Sequence, residues 1–481
     1  MTVRPRLSLR VKLSYGLGEM AEGVKSAMLE TFLFFYYVQV LGLSGSLTGL
    51  ALLLAVLIDA ISDPLIGHLS DNLRSRLGRR HPFLYLAPVP LMLAIVLLFM
   101  PPEGMSQAAL FGWLFAFTAV SRLMQSCYFV PHMALGADLA EDYSDRIAVS
   151  GWRNAFAYAG RLLVLGIAFS FFFRPSVAHP DGQLDAAAYL PLAITCAGIA
   201  GAAILLSAAG TQRQAIAAYR VQRRLQDGQP ARLPGQISNA FRLPAFRIFF
   251  IANLVSYVLS GVQAALGIHL MTYYWRLPPQ GIQWAFSALT VGVLLGSLLV
   301  RPVAEKWDKK PLLVASVLAS VAIATLPIIL AEAGWLPLQD KQALTLILFG
   351  VLFVAGLSGG AALVLPGAML ADIADAYEQR YGARIEGFLY GSNAFTRKAA
   401  LGLGGAVAGV ALDLIRFPRG VPAADVDPSA AFGLAMLYGP AMFALTIVAM
   451  IVMWQYPLDR RRHDRILADL KKAAMARTAG E

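Results

Sequence analysis

Two aspartates one helical turn apart, Asp59 and Asp63, stand in the middle of an otherwise apolar run from Leu47 to Ile66. An ionised carboxylate at the centre of a bilayer costs about 2.5 to 3.5 kcal/mol even on the most lenient insertion scales, so a pair there implies a bound cation or proton. At i and i+4 both side chains leave one face of a helix, where their oxygens can share a hard cation and repel each other when it leaves. Pro64 follows directly, removing a backbone donor and freeing a carbonyl nearby, which adds an oxygen ligand or a kink.

Other polar side chains fall inside apolar stretches. Glu19, Glu22, Ser26 and Glu30 recur at helical spacing as one narrow stripe, which predicts that this face borders a wet interior. Glu22 and Glu30 are candidates for cavity lining, and Lys25, one position away, is placed to neutralise Glu22. Further on, Arg122, Gln125, Ser126, Phe129, His132 and Met133 share one side of a helix, with Arg122 and Gln125 toward the cavity. His132 reads as a satisfied hydrogen-bonding group more readily than as a pH switch. Arg153, Arg161, Arg397 and Lys398 are cations deep in spans; their company with two aspartates suggests charge pairing, and Lys398 is placed to occupy the cation site when it is empty. Trp152 is available to stack on a sugar face, whereas Tyr273 to Trp275 read as an interfacial aromatic belt. The six histidines show no metal-ligand spacing.

These residues need a membrane scaffold to position them. Of 481 residues 58% are hydrophobic and only 14% charged, with mean hydropathy +0.61, which excludes a soluble enzyme of this length. Twelve apolar stretches long enough to span are centred near residues 28, 56, 92, 120, 160, 198, 260, 291, 320, 355, 402 and 443. The expected fold is an all-α membrane protein of twelve transmembrane helices. Arg74, Arg76, Arg79, Arg80, Arg220, Arg223, Arg224 and the tail Arg460, Arg461 and Arg462 cluster on one face, while the other holds five basic residues: Arg174, Arg276, Lys341, Arg416 and Arg419. By the positive-inside rule both termini are cytoplasmic, in the inner membrane of the cell. Topology and contact with anionic lipid explain the net charge of +11, so no nucleic-acid partner is expected. Cys127 and Cys196 fall inside spans and imply no disulfide framework. The chain is expected to act as a monomer.

An internal repeat joins the fourth span to the tenth. Asp138 and Arg146, in the stretch Ala137 to Arg146, are echoed by Asp372 and Arg380 in Ala371 to Arg380, and Asn154-Ala155-Phe156 by Asn393-Ala394-Phe395. The offset divides the chain into two parallel bundles of six helices, residues 1–209 and 246–456, joined by a cytoplasmic linker, 210–245, and followed by a cytoplasmic tail, 457–481. The linker is broken by Gly228, Pro230, Pro234 and Gly235 and has room for an amphipathic helix from Gln212 to Gln226. After the second span, Gly67 to Asp71 and Arg76 to Arg80 resemble the charged loop signature of the major facilitator superfamily; Arg301 to Lys310 is a degenerate second copy. Asp71, Arg76, Arg79, Arg80, Asp138, Arg146, Asp372 and Arg380 are therefore candidate gate residues, a charge network that holds in one state and releases in the next.

The run Lys12 to Gly18, the segment Ile58 to Gly67 and the loop Arg74 to Pro82 together resemble the glycoside-pentoside-hexuronide:cation symporter family of that superfamily, over nearly the whole chain. The resemblance implies that Asp59 and Asp63 bind the coupling cation, Na+ or H+, with Ser62 at a position where some members carry a sodium-liganding Asn. It also implies that Arg153 and Lys398 stand at positions important for charge balance or transport. In sugar-transporting members two acidic residues grip the sugar and a Trp stacks on it; the matching positions here are Gly23, Phe129 and Met133. The candidate substrate residues are Glu22, Ser26, Arg122, Gln125, Phe129, Met133, Trp152, Arg153, Asn393 and Lys398. The expected activity is cation-coupled symport of a sugar or glycoside. The alternative is a lysolipid or other amphipathic metabolite, which Phe129 and Met133 would suit and which a sodium-dependent lysophosphatidylcholine transporter of the same branch carries. No cofactor is implied. A phosphate-binding loop, a nucleophile with partners and a catalytic metal cluster are all missing from the sequence, so it does not read as an enzyme.

Overall fold

The computed structural model describes residues 7–140, 142–177, 179–222, 234–383 and 385–479. Glu141 of the repeat and Arg223, Arg224, Gly228 and Pro230 of the linker lie outside them. The described residues are helical, without strands: α1 Leu9–Ser26, α2 Gly45–Asn72, α3 His81–Leu86, α4 Pro88–Leu98, α5 Gln107–Leu139, α6 Tyr143–Ile167, α7 Tyr189–Gln222, α8 Pro234–Arg242 and α9 Pro244–His269. Then follow α10 Pro279–Ala304, α11 Lys309–Glu332, α12 Lys341–Gly359, α13 Ala361–Tyr381, α14 Glu386–Leu414, α15 Pro428–Met436, α16 Met442–Trp454 and α17 Arg460–Ala479. Tighter or wider helical turns continue several of them, such as the π-helical Ala27–Leu33 after α1.

Ten helical runs among the described residues are long and apolar enough to cross a membrane. The first apolar stretch, with Glu19, Glu22, Lys25 and Glu30, and α14, with Arg397, Lys398 and Asp413, are helical but stand outside those ten. The protein is a multi-pass membrane protein of the all-α class. Ser44 begins α2 by accepting from the Leu47 amide at 3.1 Å, and Asp308 begins α11 by accepting from the Lys309 amide at 2.7 Å. Each cap satisfies a donor that the first helical turn leaves without an internal partner. The chain from Gln212 to Gln222 prolongs α7 and is no separate helix; α8 is the distinct short one in the linker.

The helices form two compact units. The first takes in residues 1–228 with Ala264–Gln283 and Gly405–Ala431; the second takes in Gln229–Gln263, Trp284–Gly404 and Phe432–Glu481. The division runs through α9 and α14, so the units are composed differently from the two sequence halves.

In the first unit α1 packs on α6 and α7, and α2 on α5. A Cβ added at Gly23 would collide with the Ala157 carbonyl, and one at Gly160 with the Met20 carbonyl, so α1 and α6 cross backbone to backbone. Phe32, Tyr36, Phe99, Phe169, Phe173 and Tyr189 form a buried aromatic cluster, with Tyr36 and Tyr189 ring centres 4.5 Å apart. The contact of α2 with Gly405–Ala431 is equally close: Gly45 meets Gly409, and Gly49 meets Ala406. Asp413 seals it, accepting from the Gly45 and Ser46 amides at 3.2 and 2.8 Å and pairing with Arg419 at 2.7 Å. The carboxylate thus sits on the positive end of the α2 dipole. Tyr273 and Trp275, expected in an interfacial belt, are buried, and Tyr273 donates to Gln39 at 3.0 Å. The second unit has its own core of Phe246, Phe249, Met369, Leu370, Tyr377, Met450, Met453 and Tyr456.

Candidate functional site

The geometry of α2 separates two faces. Leu57, Ile61 and Leu65, spaced four apart, are 55, 70 and 52% exposed, which suits acyl chains, whereas Asp59 and Ser62 are buried. Against that polar face lies α5. Arg122 Nη1 donates to Asp59 Oδ2 at 2.6 Å, and one turn on Ser126 Oγ donates to Asp63 Oδ1 at 2.5 Å. Both pairs span the same sequence separation of 63, so α2 and α5 run parallel and in register here. Ser62 Oγ donates to Ser126 Oγ at 2.9 Å, which completes a chain from Ser62 through Ser126 to Asp63. Carboxylate and hydroxyl oxygens at adjoining positions are the donor set of a hard monovalent or divalent cation.

Ser126 stands on the predicted cavity side of its helix, but nothing in the sequence pairs it with Asp63. Its position four residues after Arg122, matching Asp63 four after Asp59, is the signal that a helix-register argument could have used. Arg122, expected to line the substrate cavity, is ion-paired with Asp59. Among the described residues there is no group of three or more His, Cys, Asp and Glu side chains that could hold a metal ion.

Beside this lies a second polar group. Glu22 Oε1 accepts from Lys25 Nζ at 2.9 Å and from Ser26 Oγ at 3.3 Å, and its other oxygen accepts from the Gln125 amide. The neutralisation of Glu22 by Lys25 is thus realised, and Gln125 ties α1 to α5. Arg153 Nε lies 3.9 Å from Glu19, and its Nη1 reaches the Met133 sulfur at 2.6 Å. Arg161 pairs with Glu30 at 3.4 Å. His132 is fully buried between Tyr15 and Tyr128, with ring centres 4.4 and 5.1 Å away, and neither ring nitrogen has a hydrogen-bond partner among the described residues. Stacking holds it, not the hydrogen bonding expected. Phe129 is half-buried, and Trp152 is exposed, packing on Phe156. Asn393 and Lys398 belong to the second unit, where Asn393 is hydrogen-bonded to Tyr257.

The candidate gate residues divide. In the first unit Arg79 and Arg80 both reach Asp138, at 2.7 and 3.4 Å, and Arg80 also takes Asp71 at 2.6 Å and Ser70 at 2.7 Å. Arg146 is exposed and donates to the Ala140 carbonyl at 2.9 Å, closing the end of α5; Arg76 is exposed. In the second unit Lys309 grips both oxygens of Asp372 at 2.7 Å, and Arg380 lies over the Tyr381 ring. The tail adds two residues that the sequence did not single out for the gate. His463 is 3.0 Å from Asp375 and 3.5 Å from Asp372, and Arg460 donates to the Ala304, Glu305 and Trp307 carbonyls at the end of α10.

A multi-pass helical protein with paired carboxylates facing a polar interior and an Arg–Asp cluster after the second span has the features of a major facilitator transporter rather than an enzyme. The chain belongs to the MFS/sugar transport protein family, whose profile matches residues 14–460, and within it to the glycoside-pentoside-hexuronide:cation symporter type. It is 24% identical over 405 residues to the inner membrane symporter YicJ of Escherichia coli strain K12, covering 84% of this chain and 82% of that one. It is 25% identical over 416 residues to the putative glycoside/cation symporter YagG of the same organism, covering 86 and 84%. The solved structure of the nucleoside transporter NupG superposes with a TM-score of 0.62 at 12% identity over 93% of this chain and 99% of that one, a likeness of fold. The protein is therefore a membrane transporter of a small molecule.

Proposed function

We propose that the protein is a secondary active transporter that couples movement of a sugar or glycoside to Na+ or H+ by alternating access, with both termini on the cytoplasmic side of the inner membrane. The observation that carries this reading is the rung structure between α2 and α5, where Asp59 and Asp63 meet Arg122, Ser62 and Ser126. Charge buried in a bundle without a catalytic task is the mark of a coupling site. Relatives named as symporters, one of them as a glycoside/cation symporter, support the same reading. The polar group around Glu22, Lys25, Ser26 and Gln125 favours a hydroxylated ligand, because hydroxyls taken from water without partners cost about 1 to 3 kcal/mol each.

Uptake into proteoliposomes under an imposed Na+ or H+ gradient tests the coupling. Asp63→Asn should lose concentrative uptake while keeping downhill exchange; full concentrative uptake by both Asp59→Asn and Asp63→Asn overturns the proposal. In the same assay Gln125→Ala should weaken a sugar selectively. Selective loss in Phe129→Ala, about tenfold or more from the removed apolar burial, would instead mark an acyl chain as the substrate.

A further inference from the structure

The polar stripe of the first helix does not end at the Glu22 group. We infer that Glu30 and Arg161 form a second ligand subsite, for the hydroxyl groups of a second sugar ring, so that the substrate is a two-ring glycoside rather than a monosaccharide. The inference rests on the sugar reading proposed above and narrows it to a class of substrate.

Arg161 Nη1 reaches Glu30 Oε2 at 3.4 Å, and both side chains are 33% exposed, whereas Asp59 and Glu19, in their own pairs with arginines, are 5 and 9% exposed. Charges this open inside a span must face a wet interior, because lipid does not solvate them. A pair joined by one long hydrogen bond keeps capacity to spare: the guanidinium has several N–H donors and the carboxylate several lone pairs. Together they complement neighbouring sugar hydroxyls, each of which both donates and accepts, with charge-assisted bonds on either side.

The Glu22 group is filled differently, its carboxylate already met by Lys25, Ser26 and Gln125. Glu22 and Glu30 lie eight positions apart on one stripe. At about 1.5 Å of rise per residue that is about 12 Å along the helix, and because helical side chains all lean toward the N-terminus the separation persists at their tips. One sugar ring cannot touch both groups, whereas two linked rings can. Glu30 also sits within the π-helical run Ala27–Leu33, a wider turn of a kind that recurs at functional sites. Just beyond it Phe32 and Tyr36 enter the buried aromatic cluster, so the polar stripe ends at this pair.

The test measures binding to the purified full-length chain by calorimetry, using matched probes: methyl xyloside and xylobiose, methyl glucoside and cellobiose, methyl galactoside and lactose. Each methyl glycoside keeps one ring and lacks the hydroxyls of the second. The wild type should bind at least one disaccharide about tenfold more tightly than its methyl glycoside. Arg161→Gln and Glu30→Gln should each erase that advantage while leaving the methyl glycoside within about twofold, and Gln125→Ala should weaken both probes. Glu30→Gln, which keeps the side-chain shape, decides the matter if Arg161→Gln does not fold. A wild type without a disaccharide advantage overturns the inference alone. So does an advantage kept in the variants, or a loss shared equally by both probes, which would make the pair a strut between the helices. Failure of the wild type to bind any of the six sugars overturns the sugar reading with it.

Discussion

Asp138 is gripped by two arginines of one loop, Arg79 at 2.7 Å and Arg80 at 3.4 Å, whereas Asp372, which repeats it in the second half, is met by Lys309 at 2.7 Å and by His463 of the tail at 3.5 Å. The first cluster is made within its own repeat and is nearly closed to water, its arginine side chains 10 and 8% exposed. In the second the basic partner is more open, Lys309 being 35% exposed, although Asp372 itself is 8% exposed against 16% for Asp138, and the cluster borrows from beyond the repeat. Its other basic residue, Lys310, has turned away to the Tyr456 carbonyl at 3.1 Å and over the Trp454 ring. The second repeat carries Lys309 and Lys310 where the first carries Arg79 and Arg80, and His463 from a helix outside the repeat lies against its carboxylate.

The sharpest way to break this contrast is to remove each carboxylate. Asp138→Asn takes the carboxylate from the buried Arg79 while Arg80 keeps Asp71, a change that costs about 3 to 5 kcal/mol when one partner of a buried pair is removed. It should lower the unfolding temperature most and take transport with it. Asp372→Asn should cost less, about 1.5 to 3 kcal/mol, because Lys309 can swing into water. Thermal unfolding of the two variants side by side checks the order, and equal losses would dissolve the contrast. The smallest effect belongs to His463→Ala, about 0.2 to 1 kcal/mol for a partly exposed pair. A loss as large as that of Asp372→Asn would show the tail to be a principal support of the second cluster rather than a cover.

The fold was legible because lipid imposes long apolar runs with few exceptions, and the exceptions are the candidate site residues. Asp59 and Asp63 stood out for that reason, and their spacing already placed them on one helical face. The partner across the gap was hidden: Ser126 is an ordinary residue for a membrane helix, and only the register of α5 on α2 gives it a role. Arg122 was visible as a cavity residue, yet its pairing with Asp59 depends on that same register. His463 lies 88 positions from Asp375, in a segment whose basic residues read as surface anchoring. A face can be read from periodicity; what lies opposite cannot. Tyr273 shows the reverse error, since an aromatic run at a span end has the composition of a belt but is buried against Gln39 and Phe417.

Where Asp413 closes the start of α2, the two helices touch backbone to backbone at Gly45, Gly49, Ala406 and Gly409, and the first longer side chain between them is Leu52, beside Gly405. Such a seam has nothing to stretch. Flexible side chains would let two helices part by degrees, changing rotamers while staying in touch, but here small separations already lose backbone contact and the charge-assisted bonds of one carboxylate to two amides. A joint of this kind is expected to part abruptly rather than by degrees, and it stands on the same helix that carries Asp59 and Asp63.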